Sequence, residues 1–570
     1  MATSPASGLP PALGGTGATA PSRASGRWLF GPLADLVLGC GLGYALVFIG
    51  LSLAGPQIRA IEPVTVIPFL LVTFAGVPHY GATLLRVYER AEDRRAYVFF
   101  TVYASAFVWL VFAAGLHWIA VGSLMLTIYL TWSPWHYTGQ NYGLMVMFLR
   151  RRGVPLDPAT KRWIAASFWL SYAMTFLTMH AVLPTTAYAP ASYAGTAYRF
   201  LSLGIAEEIR RPLLVAVTAG YALCLLLAGS RLLRRASLGD LAPSLLLVAS
   251  QALWFIVPIA TREWQIGWLA HLDPLGLENA AYSFLWIAAA HSVQYLWVTT
   301  YYAGAGPRPT GKVRFLGKTL LAGAAIWTVP TLLFAPALLG RVPFEGGLAL
   351  LAASAVNLQH FILDGAIWKL RDGRVAQILL RPREREAEAS AAPTSGWPGR
   401  LVWATGIASL AFMFGVAWIV TFEAPAAAAR GDTRTLFRLA QTLERIGRPN
   451  ARVWEQIAQL KIEGGDRAGA RHALERSLAA QETPGAWMKL AQLHEGEGRW
   501  DLAVASYDAL LRQHPSHVAA LYRRALVLIK QGEPDEARAS LERAAAMAPD
   551  DRLIRLALER VDPNRSPATP

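Results

Sequence analysis

The sequence predicts an all-α protein in two parts: a polytopic helical membrane bundle of about eleven spans, then a carboxyl-terminal α-solenoid. Three observations carry this. Hydrophobic residues make up 54% of the 570-residue chain and charged residues 16%, with mean hydropathy +0.33, too apolar for a string of water-soluble domains. Apolar runs long enough to cross about 30 Å of hydrocarbon recur between residues 29 and 422. After residue 430 the chain turns polar, and a unit of about 34 residues repeats.

Taken in order, residues 1–27 are mostly Ala, Gly, Pro, Ser and Thr, too polar to pack, which predicts a disordered cytoplasmic tail. The apolar run after it is longer than a signal-peptide core and lacks a cleavage site, so it reads as an uncleaved first span. Spans are expected near 29–54, 63–85, 96–115, 118–148, 163–183, 212–230, 241–260, 278–302, 316–339, 346–368 and 401–422. Residues 28–370 then form a ten-span membrane domain, 371–399 a basic cytoplasmic linker, 400–423 the eleventh span, 432–560 the repeat domain and 561–570 a second tail.

The formal charge of +15 does not point to nucleic acid, because the excess sits in short loops between apolar runs. With the amino terminus inside, 25 Lys and Arg fall in inside segments, among them Arg150, Arg151 and Arg152. Only Arg59, Arg199, Arg210, Arg211, Arg262 and Arg341 fall outside. Such a bias orients spans in a bilayer, and an odd span count puts the repeats on the outer face. The expected location is the inner (plasma) membrane. Cys40 and Cys224 both lie in apolar runs and offer no disulfide framework.

In the repeat region, counted from Pro484, residues Trp487, Leu490, Ala491, Gly498, Ala503, Tyr507 and Pro515 recur in phase as Leu521, Ala525, Gly532, Ala537, Leu541 and Pro549. An earlier unit carries Trp454, Ile457, Ala458, Gly465, Ala470 and Leu474. Small residues recur where paired helices must approach closely. The pattern resembles the tetratricopeptide repeat (TPR), with end helices expected near 433–446 and 551–560. The resemblance implies a concave groove for a protein or peptide partner.

The chemistry-bearing residues are histidines. His79, His136, His291 and His360 lie in spans 2, 4, 8 and 10, which all run from outside to inside. Each has polar company nearby: Thr83 after His79, Gln140 and Asn141 after His136, Gln294 after His291, and Asn357, Gln359 and Asp364 around His360. Ionisable groups in hydrocarbon are costly and face a bundle interior or a cavity. Asp364 in particular needs a cation, a metal or a proton. Four converging imidazoles and a carboxylate suit iron, zinc or copper, with Thr83, Gln140, Asn141, Gln294 and Asn357 orienting the ligands. Haem on axial histidines is the less favoured form, and a polar cavity or proton path needs no metal at all. A lone histidine in a span is more often a packing residue, the expected role of His180.

Absences narrow the chemistry. The sequence holds no HxxxxH with HxxHH of membrane desaturases, no adjacent histidine pair of haem–copper oxidases and no GxSxG. The segment GVPHYGA resembles the Pro-His-Gly-Ala segment of Brp/Blh-type carotene dioxygenases, although Tyr80 intervenes and no Asp follows at the family's position. That resemblance implies non-haem iron over zinc. The expected function is a metal-dependent oxidoreductase acting on a lipid-soluble substrate. Two other classes stay open: a glycosyltransferase or glycan ligase using outer charges such as Glu207, Arg210, Glu263, His271 and Asp273, and a non-enzymatic membrane scaffold for the repeats.

Overall fold

The computed structural model describes residues 27–54, 70–89, 91–182, 196–264, 280–305, 309–336, 338–368, 373–380 and 397–561. The expected tails at 1–26 and 562–570, linker residues 381–396, and Arg59, His271 and Asp273 lie outside the described residues. Among the described residues every regular element is helical, and one isolated bridge pairs Ala181 with Ile205.

A helix occupies each of the eleven apolar runs. α1 (Pro32–Gly39) and α2 (Leu42–Gly50) form a pair bent by 62°. α3 spans 72–88, α4 Phe99–His117, α5 Ile119–Arg151 and α6 Pro158–Met179. α7 spans Glu207–Leu233, α8 Leu238–Ala260, α9 Ala280–Ala305, α10 Lys312–Leu333 and α11 Phe344–Ile367. A short helix, α12 (Gly373–Leu380), precedes α13 (Arg400–Ala429). By length and composition six of these, α4, α7, α8, α10, α11 and α13, are apolar enough to cross a membrane, or seven if the bent pair is one span. The remaining four, α3, α5, α6 and α9, fall short of that measure. Three of them carry His79, His136 and His291 with their polar neighbours, which dilutes their hydropathy.

Side-chain contacts sort the loops into two ends. At one end Arg151 donates to Trp28 and Leu379 carbonyls, Arg152 to Gly239, and Arg27 pairs with Asp240. At the other, Tyr198 donates to the Gly115 carbonyl, the Arg199 amide to Ser123, and the Ala197 amide to the Gly346 carbonyl.

Proline shapes the helices locally. Three π turns, Val72–Gly76, Ala252–Ile256 and Ile419–Glu423, each end one residue before an X-Pro step at Pro78, Pro258 or Pro425. Proline cannot donate to the ladder and crowds the preceding turn, and the widened turn takes up that mismatch. α3 also touches α10 backbone to backbone, because a Cβ on Gly81 or Gly323 would overlap a facing carbonyl oxygen. These features fix where His79 enters the bundle. Between the ends, Phe112, Leu126, Leu130, Trp254 and Leu351 form a fully buried core.

Residues 433–560 fold as eight helices: α14 (Thr433–Arg445), α15 (Ala451–Glu463), α16 (Arg467–Ala480), α17 (Pro484–Gly496), α18 (Trp500–Gln513), α19 (Val518–Gln531), α20 (Pro534–Met547) and α21 (Arg552–Arg560). Ala458, Ala470, Ala491, Ala503, Ala525 and Ala537 are all 0% exposed, packed where the paired helices meet. Gly465, Gly498 and Gly532 turn each pair with positive φ of 76°, 70° and 83°, a conformation that costs glycine nothing. The first pair rests on the end of the bundle that holds Glu345, which accepts from the Asn450 side chain and the Ala451 amide.

Candidate metal centre

Four helices, α3, α5, α9 and α11, carry His79, His136, His291 and His360 to one point. One ligand nitrogen from each lies within 4.8 Å of the other three. His79, His291 and His360 are buried, at 1–3% exposure, and His136 is partly exposed. His79 and His291 face each other Nε2 to Nε2 at 3.1 Å. Two ligands about 2.0–2.1 Å from a shared ion stand about 2.9–3.4 Å apart at right or tetrahedral angles, so the spacing matches an edge of a coordination polyhedron. Every ring also keeps one buried nitrogen with no hydrogen-bond partner: Nδ1 of His79 and His291, and Nε2 of His136 and His360. Orphaned buried polar atoms of this kind are rare and costly, and this donor set fits a borderline metal ion.

Asp364 stands beside the cluster, one helical turn after His360 on α11. Its Oδ2 lies 3.4 Å from His360 Nε2 and 3.8 Å from His136 Nε2. Its Oδ1 accepts from Thr83 at 2.9 Å and from the Tyr295 hydroxyl at 2.7 Å. Thr83 also meets His360 Nδ1 at 2.8 Å. With its one proton given to the carboxylate, Thr83 accepts from Nδ1–H of His360. That tautomer leaves the Nε2 lone pair facing a carboxylate oxygen, an arrangement that a cation between them would relieve.

The neighbours divide less simply than the sequence predicts. Of the five residues expected to orient ligands, Thr83 alone bonds a cluster imidazole, and it serves His360 rather than His79, on its own helix. Gln140 donates to the His291 carbonyl at 3.2 Å and to Gln294 at 3.0 Å, so that pair braces α5 against α9. Asn357 accepts from Tyr80, whose ring packs edge-on to His79 and His360. Asn141 does not belong to the site: it donates to Gln251, in a network with Thr138 and Ser171. Five residues separate it from His136, and five steps of 100° turn it about 140° away. Gln359 bonds Trp109 and Ser105, also away from the cluster.

Sequence reasoning passed over the aromatic frame. Tyr295, besides holding Asp364, accepts from the Trp368 indole at 3.0 Å. Phe361 stacks on His136 at 4.5 Å between centroids, and Tyr137 lies against His291 at 4.4 Å. Tyr295 falls one helical turn after His291, and that spacing was the available signal. A half-open, mainly apolar cavity of about 330 Å³ adjoins the site, lined by Trp132, Trp135, His136, Gly139, Gly143, Tyr295, Phe361, Asp364 and Trp368 among others. Among the described residues the other histidines stand apart from the cluster. His180 has both ring nitrogens engaged, by Thr131 and by the Leu203 amide. Arg210 is neutralised by Glu207 and Glu263.

The repeat region is matched by the tetratricopeptide-repeat family model over residues 456–509 and 488–552. Residues 456–552 are tetratricopeptide repeats. The solved structure of YrrB, described as a TPR protein with an unusual peptide-binding site, is similar at 17% identity, covering 28% of this chain and 81% of its own, with TM-score 0.21. No curated protein matches the chain. The carboxyl-terminal TPR region is therefore a protein-interaction domain, carried on a bundle of long apolar helices.

Proposed function

We propose that this is an eleven-span inner-membrane protein whose bundle holds a metal ion on His79, His136, His291 and His360. The ion serves oxidation or reduction of a lipid-soluble substrate, and the TPR domain on the outer face recruits a protein or peptide. The meeting of four imidazoles, each with one unpartnered buried nitrogen, carries the reading. Asp364 acts as a ligand or as the charge that balances the ion. Nitrogens this close leave no gap for a porphyrin plane, which favours a non-haem ion, with iron ahead of zinc and copper on the GVPHYGA resemblance. When bound, the ion supplies Lewis acidity or a redox couple. The chain's own residues hold the imidazoles, keep bulk water out and present the aromatic cavity beside His136.

The topology is supported by the 25-to-6 partition of basic residues and by the sorting of loop contacts into two ends. The amino terminus and the linker then face the cytoplasm. A membrane scaffold for the TPR domain is the second reading, favoured by the repeats themselves. Metal analysis and an absorption spectrum of detergent-purified protein separate the two. Close to one iron per chain without a Soret band supports the enzyme reading, a Soret band means haem, and metal-free protein from metal-supplemented cells leaves the scaffold.

A further inference from the structure

A second cavity lies where the first TPR helices meet the outer ends of α10, α11 and α13. It measures about 350 Å³ and is half open, with apolar walls that include Phe344, Phe412, Val416 and Val420. Arg448, in the loop between α14 and α15, lines it and is only 6% exposed. Its guanidinium donates to the Thr331 carbonyl, the Thr331 hydroxyl at 2.5 Å and the Gly447 carbonyl, all neutral acceptors. The rings of Phe344 and Phe412 lie 3.9 Å and 5.2 Å from it. No carboxylate pairs with it among the described residues. Glu345 lines the same cavity, but its two oxygens are taken by Asn450 and Ala451, and the cation facing it is Arg452. Burial pushes the Arg448 guanidinium down to about 10, with no anion acting against that fall, so it remains charged at neutral pH.

A buried cation without a counter-charge is costly. Trp327 also lines the cavity, with its indole N–H buried and without an acceptor. The guanidinium thus borders a mainly apolar chamber with only neutral groups as hydrogen-bond partners. One wall is α13, a helix only 11% buried in the bundle and so open to surrounding lipid.

We propose that this junction binds the anionic headgroup of an outer-leaflet phospholipid, with Arg448 as the donor and the upper acyl chain along α13. The lipid would supply the missing counter-charge, and would make docking of the TPR domain onto the bundle dependent on anionic lipid. The inference rests on the membrane reading above.

The test is native mass spectrometry of full-length protein in detergent, titrated with phosphatidylglycerol, phosphatidylethanolamine or inorganic phosphate. The expected result is one retained phosphatidylglycerol per chain, bound at least about tenfold tighter than phosphatidylethanolamine, whose ammonium cancels the charge of its phosphate and so leaves the buried guanidinium without a net counter-charge. Free phosphate should fail to displace it. Arg448→Gln and Ala417→Phe, the latter filling the cavity without removing the guanidinium, should each weaken retention about tenfold or more. Equal affinity for the two lipids, displacement by phosphate, or unchanged retention in Ala417→Phe would each overturn the site. A chain that stays soluble without detergent would instead overturn the membrane reading itself.

Discussion

His79 and His291 face each other across 3.1 Å, Nε2 to Nε2, although 212 residues separate them. Two neutral imidazoles so placed share one proton, and each leaves its Nδ1 without a partner. Stranding a buried donor or acceptor costs about 1–3 kcal/mol. A metal ion on the two Nε2 lone pairs would replace the shared proton and leave each Nδ1 as an N–H donor.

Replacing His136 or His360 with alanine should remove most of the bound metal while expression and monodispersity in detergent stay largely intact, since one imidazole is a small part of this core. His180→Ala should keep its metal, because both nitrogens of His180 serve Thr131 and Leu203 on the outer side. Metal-to-protein ratios measure this. Equal loss in the His136 and His180 variants would refute the cluster.

Asp364→Asn separates two roles. A direct ligand would lose nearly all metal, whereas a residue that only orients His360 should cost about 10–100-fold in affinity. Thr83→Val, which removes the hydroxyl between His360 and Asp364, should fall in the second range. Competition with a chelator of known affinity gives the numbers, and a Thr83→Val protein with wild-type affinity would show that this bridge plays no part.

The cavity beside His136 has room at Gly143, where an added Cβ would meet nothing within 4 Å. Gly143→Leu should therefore fold, keep its metal and exclude apolar ligands. Lipid-soluble compounds that perturb the metal's absorption spectrum in the wild type should lose that effect in the variant. A persisting perturbation would place the substrate elsewhere.

Alkaline phosphatase fused after Ala428 should be active, and fused after Arg385 inactive, if eleven spans start from a cytoplasmic amino terminus. The opposite pair of activities would mean that the number of spans is even or that the orientation is reversed.

Ala503 is 0% exposed at the meeting of α17 and α18. Ala503→Asp buries a charge without a partner and should cost roughly 3–5 kcal/mol. In fragment 430–570 this should appear as a large fall in the circular-dichroism midpoint. A wild-type melt would mean that the repeat register is wrong.

The sequence by itself determined what depends on neighbours a few residues apart. The alanines of the repeats recur at fixed offsets because each helical pair meets its partner in the same way. Apolar length marks helices wherever lipid or core must be met, and basic residues mark one end of the bundle. Each histidine could also be assigned a helix and a depth from the rise per residue. Helical spacing cannot say how a helix is rotated against a partner some 200 residues away. Helical spacing already turned Asn141 away from His136, but tertiary packing alone gave it Gln251 as a partner and carried Thr83 to His360 and Asp364, 277 and 281 residues distant. It also set Tyr295 against Asp364 and gave Arg448 neutral acceptors at the junction, with no ion pair among the described residues. Those outcomes depend on close contacts such as that at Gly81 and Gly323, where the absence of two side chains fixes how far α3 can approach α10.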